Sequence, residues 1–429
     1  MVVTGIRGAI ESSTSIKKNQ TSIVESISAE DIGKLPDQSI AESIARLPGL
    51  SAQRVAGRAQ VISVRGLSPD FSTTLLNGRE LVSTGDNRSV EFDQYPSELI
   101  NGVTIYKTPD AGIVGQGLSG TIDMRTVRPL DIKESVFVVG VRGQRNSLGS
   151  AANASGTGNR INLSFIGKSD SGDFGYALGI SRSDTPIQEN QVGLYEPWNA
   201  IRAGDRPGVA AGTFYSDGIK ALRRTGYTER TGVLGTLQLR ASDSWMSTLD
   251  LFYTTSDQED TANQFEVHIG GYNGNFTPGL NVTNPVVNGN GTFVGGTANN
   301  VYPLVRGIYN KREDTIKAFG WTNEFFFGDT TLTADVNWSR ANRDELSLEN
   351  NTQRRVPTPQ LDSINLLFRN NGFSQLRPGR DYSNPADLFL DNTIYGSGYG
   401  KVPSVEDELT GIKLVANLPA SEIDRKSVV

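Results

Sequence analysis

Cysteine is absent from all 429 residues. That excludes a disulfide framework, a thiolate metal site and a cysteine nucleophile. It leaves the compartment open, and it suits a chain that crosses an oxidising space without needing bridges. Histidine is nearly absent too. The single one, His268, sits in a polar stretch with no second histidine, so it reads as a solvated loop residue and no metal site is expected. There is no run of about 18 apolar residues, so no transmembrane helix is expected. A β-barrel is untouched by that absence, because its apolar residues hide in alternation. Basic charge is not in excess. The net charge is −6, which argues against a nucleic-acid partner. No Walker A lysine pattern, HExxH or GxSxG occurs. The acidic groups Glu259-Asp260 and Glu406-Asp407-Glu408 read as solvated loop or turn charge. Neither an enzyme nor a cofactor is expected. No basic and apolar leader precedes Val2, so a mature form or a fragment is expected.

Apolar residues make up only 36%, below the roughly 45–50% of ordinary globular domains. Glycine is abundant, with 47 residues. The chain has two grammars. Residues 1 to about 130 read as mixed α/β. Ser22 to Ser28 alternates like a strand. Ile40, Ile44 and Leu47 have helical spacing, with Asp37 as N-cap after Pro36 and Pro48-Gly49 as the stop. Val61 to Gly66 is a second strand. Thr73 to Leu76, Asn77-Gly78 and Arg79 to Val82 form a hairpin, since Asn-Gly accepts the positive φ of a type I′ turn. Pro96 to Ile100 suits a helical turn, and Val103 to Lys107 and Thr121 to Thr126 are further strands.

From about Ser135 the period becomes two. Leu332, Ala334, Val336 and Trp338 share one face, and Thr333, Asp335, Asn337 and Ser339 the other. The segments around 174–181, 233–240 and 412–418 alternate the same way. Each runs for about the ten residues that a tilted strand needs to cross a bilayer. A soluble β-sandwich alternates as well. The connections separate the two. Short turns at 168–173, 242–244 and 328–330 alternate with long connections at about 184–227, 258–313 and 345–405. An outer-membrane barrel has short turns at one end and long loops at the other. About eight strands are expected. Trp245, Phe252, Tyr253, Trp321, Phe325 to Phe327 and Trp338 cluster near strand ends, as interfacial girdles would.

Gly115-Gln116-Gly117-Leu118-Ser119-Gly120 matches GxGxxG. A dinucleotide site needs a strand before it and a helix after it. Here a strand-like TIDMRT follows, so the glycines read as a close-packed backbone turn.

Residues 22 to 130 resemble the plug of TonB-dependent outer-membrane receptors, especially the proteobacterial branch linked to carbohydrate scavenging. The resemblance runs in order through Val2 to Arg7, Ser22 to Val24, Ala29 to Gln38, Ala41 to Gly49, Ile62 to Leu67, Thr74 to Gly78, Pro96 to Lys107 and Gly117 to Thr126. It implies a mixed α/β plug followed by antiparallel transmembrane β-barrel strands. The expected units are an N-terminal segment 1–21 resembling a TonB box, a plug 22–130, and barrel strands 131–429. Whole barrels of this kind have about 22 strands around the plug. With about eight, the chain reads as incomplete, since open edges are not viable in lipid.

The resemblance further implies energised import across the outer membrane of a Gram-negative bacterium, by a monomer. TonB would pair with Val2, Val3, Thr4 and Gly5 as an added strand. Substrate contacts are expected at Arg58, Asp86, Asn87 and Arg88 on plug apices. Tyr195 and Trp198 in a long loop could stack on sugar rings or simply pack the loop. An oligosaccharide is the expected substrate, a ferric siderophore or cobalamin-type chelate the alternative. A passive channel or surface adhesin on the same barrel is a further alternative.

Overall fold

The computed structural model describes residues 14–20, 22–28, 40–55, 58–85, 87–95, 100–110, 112–113, 115, 117–148, 154–195, 198–270, 279–355, 358–369, 373–392 and 396–418. After a helical turn at 14–19, the N-terminal unit comprises β1 (Val24–Ser28), the helix α1 (Ile40–Ile44), β2 (Leu50–Val55), β3 (Arg58–Val64), β4 (Ser72–Leu76), β5 (Arg79–Glu80), β6 (Gly102–Tyr106) and β7 (Gly120–Arg125). The expected start of α1 at Asp37 and the turn at 96–99 lie outside the described residues. Five strands form one sheet in the order β1-β6-β7-β4-β5, while β2 and β3 pair as a separate hairpin. Within the sheet β4 and β7 run parallel and the other neighbours antiparallel. The i, i+4 pair Ile40 and Ile44 is fully buried, in one core with Ile62, Val64, Ile105, Ile122 and Met124.

The chain then builds a wall. It consists of β8 (Val136–Arg145), β9 (Thr157–Lys168), β10 (Phe174–Leu194), a short β11 (Asn199–Ala200) and β12 (Phe214–Tyr215), β13 (Gly218–Ser242) and β14 (Trp245–His268). Next come β15 (Asn281–Val287), β16 (Phe293–Val301), β17 (Leu304–Phe327), β18 (Thr330–Gln353), β19 (Asp362–Leu367), β20 (Gln375–Pro378), β21 (Phe389–Leu390), β22 (Gly398–Lys401) and β23 (Ser404–Asn417). The eight long strands β8, β9, β10, β13, β14, β17, β18 and β23 pair in sequence, all antiparallel. The wall does not close among the described residues: β8 pairs only with β9, and β23 only with β18. It curves onto the N-terminal unit, whose core takes in Leu234, Phe252, Ile316 and Ala341 of the wall.

Burial on the wall is inverted relative to a soluble sheet. Val139, Leu163, Leu178, Leu237, Leu251, Trp321, Val336 and Ile412 are exposed on its convex face. Thr236, Gln238, Asp250, Asp314, Asp335 and Arg343 are buried on its concave face. A water-soluble sandwich would bury the first set and expose the second. Lipid outside and a plugged polar lumen inside require this arrangement.

Two expectations change. The strands are far longer than ten residues: β10 has 21, β13 has 25, and β14, β17 and β18 have 24 each. The expected long connections at 184–227, 258–313 and 345–405 therefore each begin and end in strand. The true connections are 195–217, 269–303 and 354–403, and described residues within them build a packed outer unit. It holds a four-stranded sheet, β15-β16-β19-β20, with its own core around Tyr215, Val267, Phe293, Ile364 and Phe368. Phe252 is also not an interfacial girdle residue. It faces the lumen and stacks on Tyr95 of the N-terminal unit, ring centroids 5.1 Å apart.

Candidate functional site

The site begins at a two-residue turn. Asn77 and Gly78 have φ of 54° and 78°, the mirror-image turn that the Asn-Gly pair favours. The Asn77 side chain accepts from the Thr126 backbone N–H at 3.0 Å, and the Gly78 N–H donates to Asp123 at 3.0 Å. Burial pushes the Asp123 carboxyl above the ordinary carboxylate range, with Arg125 and the Gly78 N–H acting against that rise. So fixed, the turn projects Arg79 into the wall.

Arg79 is held by three wall strands. Its Nε and Nη2 donate to Asp335 of β18 at 2.9 and 2.8 Å. Its Nη1 donates to Asp250 of β14 at 2.7 Å, and its Nη2 also to Thr322 of β17 at 2.6 Å. Arg128 donates to the other Asp250 oxygen at 2.8 Å. Two arginines from the N-terminal unit thus meet two aspartates from the wall. Burial disfavours the Arg79 charge, but Asp335 and Asp250 outweigh it and hold the guanidinium above its ordinary range.

A second network has the opposite polarity. Arg343 of β18 reaches inward to Glu91, with Nη1 and Nη2 donating at 2.9 and 2.6 Å, and to Thr84 at 3.1 Å. The same guanidinium donates to Asp314 of β17 at 2.6 and 2.9 Å. Gln94 of the N-terminal unit donates to Asp314 at 2.7 Å. Every member is buried, and charge-assisted bonds of this kind are the strong ones.

Toward the loop end of the wall lies a cavity of about 300 Å³. Val55 and Gln60, flanking the tip of the β2–β3 hairpin, form its inner side; Glu189, Arg224, Gln258, Asp260, Asn310, Arg312, Glu345 and Ser347 line the wall side. Its two arginines are paired with its carboxylates. Arg224 bonds Glu189 and Asp260, and Arg312 forms an ion pair with Glu345 at 2.7 Å. Asn310 donates to Asp260 at 3.0 Å and accepts from Ser347 at 2.8 Å.

The sequence candidates distribute as follows. Val2, Val3, Thr4, Gly5 and Asp86 lie outside the described residues. Arg58 opens β3, in the hairpin that floors the cavity. Asn87 accepts from Ser89, and Arg88 is exposed, 3.5 Å from Glu80; neither lines the cavity. Tyr195 is buried and its hydroxyl donates to Glu266, while Trp198 packs edge-on against Phe368. Loop packing, rather than an open stacking platform, describes both. His268 is not a solvated loop residue: it ends β14 with its ring 4.8 Å from Tyr195 and Nε2 3.6 Å from Glu266. Among the described residues, no group of three or more potential ligands gathers as a metal site. Sequence reasoning missed Arg79, Asp250, Asp335, Arg343, Glu91 and Asp314. The available signal was aspartate on the polar face of strands whose other face is apolar.

Residues 16–122 match the family model described as the TonB-dependent receptor plug domain. Solved structures similar to the whole chain include a siderophore receptor from Acinetobacter baumannii, at 13% identity and a TM-score of 0.38, covering 85% of this chain and 59% of that one. A ferric enterobactin receptor from Pseudomonas aeruginosa matches at 13% identity and a TM-score of 0.39, covering 85% and 60%. A copper transporter matches at 10% identity and a TM-score of 0.39, covering 91% and 60%. The chain thus spans about 60% of the length of such structures. The plug match, the plug seated against a wall of long antiparallel strands, and the inverted burial of that wall agree with one another. Residues 16–122 are thus a TonB-dependent receptor plug domain, and the strands that follow build a barrel-type wall against it.

Proposed function

We propose that the protein imports a scarce nutrient, energised by TonB, and that the cavity between the β2–β3 hairpin and the wall takes the substrate. The observation that carries this reading is the cavity's position. It lies on the loop side of two ion-pair networks that hold the plug, so a ligand reaches it before it meets the barrier. In this reading residues 1–21 reach TonB, with Val2 to Gly5 as the added strand, residues 22–130 are the plug, and 131–429 belong to the barrel. A monomer suffices.

The lining supports an oligosaccharide. Its arginines are already neutralised by Glu189, Asp260 and Glu345, and three amides (Gln60, Gln258, Asn310) together with Ser347 offer donors and acceptors to hydroxyl groups. A ferric siderophore or another anionic chelate would need Arg224 and Arg312 released from those carboxylates. Arg58, on the hairpin that floors the cavity, remains a candidate contact.

Uptake tests the reading. Cells carrying the protein as their receptor should take up the oligosaccharide, and lose uptake when TonB is deleted. Unchanged uptake without TonB would leave a passive channel as the better account. Binding of a ferric chelate but of no oligosaccharide would replace the substrate.

A further inference from the structure

The wall side of the cavity and the inner network share a residue. Glu345 on β18 forms an ion pair with Arg312, Nε at 2.7 Å, and the same oxygen lies 3.7 Å from Arg343 Nε. Arg312 and Glu345 line the cavity. Arg343 lies beneath it and grips the plug at Glu91 and Thr84. We infer that Arg312, Glu345, Arg343 and Glu91 form a relay by which occupancy of the cavity loosens the wall's grip on the plug. The inference rests on the cavity being the substrate site.

The physical argument is competition for one guanidinium. In the structure Glu345 is paired with Arg312, and Arg343 divides its donors between Asp314 and the plug. A ligand hydroxyl or anion that accepts from Arg312 takes that partner away. Glu345 is then a partly buried carboxylate without its cation, a costly state. The nearest remaining cation is Arg343, at ion-pair distance though beyond a good hydrogen bond. Turning Nε from Asp314 toward Glu345 rotates the planar fork, because the guanidinium moves as one rigid group. Nη1 and Nη2 are then drawn off Glu91, and the 84–94 segment loses its bidentate anchor. Coupling of this kind needs an element with two arrangements that both sites bias. Glu345, with a cation on either side, is that element.

The test needs neither ligand nor TonB, so it can fail while the import reading stands, and the uptake test can fail while this one succeeds. The chain has no cysteine, so Ser83→Cys supplies a single thiol in the buried plug segment next to Thr84. The measurement is the rate of maleimide labelling of the full chain in outer-membrane vesicles, which reports local opening. Arg312→Ala imitates occupancy by removing the partner of Glu345. It should raise the rate about ten-fold, and adding Glu345→Gln should return it to within about two-fold of the parent. Arg312→Lys, which keeps a cation, should stay near the parent rate. If Arg312→Ala leaves the rate unchanged, the relay is wrong. If the double variant labels as fast as Arg312→Ala, Arg312 acts through packing, and the relay is equally wrong.

Discussion

Arg79 and Asp335 are 256 positions apart in sequence, yet they share a two-pronged contact, Nε and Nη2 each within 3 Å of the same Asp335 oxygen. The pair joins the plug hairpin to the eighteenth strand, and Asp250 completes it from the fourteenth. Both aspartates face the lumen and are almost fully buried. Plug and wall are therefore held where charge is expensive to leave unpaired. Such a contact is strong while whole and weak once one member is lost.

That asymmetry is measurable. Arg79→Ala should leave Asp250 and Asp335 buried without their shared cation, at a cost of about 3–5 kcal/mol to the plug–wall contact. Asp335→Asn should cost less, because Asp250 and Thr322 still accept from Arg79. Urea titration of plug release, followed by protease sensitivity of the plug, gives both values. A double-mutant cycle should return coupling above about 1 kcal/mol. Additive single effects would mean that the two residues are neighbours without being partners.

The glycines of the 115–120 segment make a steric prediction. A Cβ on Gly117 would meet the backbone N of Thr73 at 2.5 Å and the carbonyl carbon of Ser72 at 2.7 Å, as well as the carbonyl oxygen of Gly120. These are backbone atoms of the central β4 and β7, so no side chain can swing away. Gly117→Ala should therefore disrupt the plug sheet, seen as protease cleavage within the plug. Gly78→Ala meets nothing within 4 Å and carries only the left-handed backbone cost, about 1–2 kcal/mol. Equal effects of the two substitutions would contradict this ranking.

Glu25 makes a pH prediction. It lies on β1, paired with Lys17 of the 14–19 helical turn and with Lys107 at 3.2 Å. Burial alone would raise its carboxyl, but the two lysines outweigh burial and hold it below the ordinary value of 4.5. A depressed carboxylate contributes stability above its unfolded pKa and loses it as pH falls through the folded one. The 14–19 turn should thus stay docked at neutral pH and detach as pH drops below about 4.5. Glu25→Gln should detach it at neutral pH and remove that part of the pH dependence. Hydrogen exchange of residues 14–20, followed from pH 7 downward, reads both.

The sequence made some of this legible and hid the rest for a physical reason. Asn77-Gly78 announced its hairpin because few residue pairs tolerate two positive φ values. The alternation of Leu332 to Ser339 announced its two faces because lipid and lumen demand opposite chemistry. Higher on the same strands that contrast fades. On β14 the convex face continues past Tyr253 through Asp257, Glu259, Thr261 and Asn263, polar like the concave face beside it. Once both faces meet water, a strand has no period to detect and reads as loop, as 258–313 does. Arg79, Asp335 and Arg343 were hidden differently. Each is an ordinary charge in its own segment, and only the barrel's register brings them together.

The outer unit supplies the contrast that tests the substrate cavity. Trp198 packs against Phe368 within a core that includes Phe293 and Ile364. Trp198→Ala should remove that packing and destabilise the outer unit by about 2–4 kcal/mol, with little direct effect on a lumen ligand. Asn310→Ala removes an amide that bridges Asp260 and Ser347 in the cavity wall and should weaken oligosaccharide binding about ten-fold, with a small change in melting temperature. Calorimetric binding of an oligosaccharide and thermal unfolding of the same two variants separate the roles. If Trp198→Ala abolished binding while leaving stability intact, the sugar would stack in the outer unit, as one reading of the sequence allowed, and the lumen cavity would no longer be the primary site.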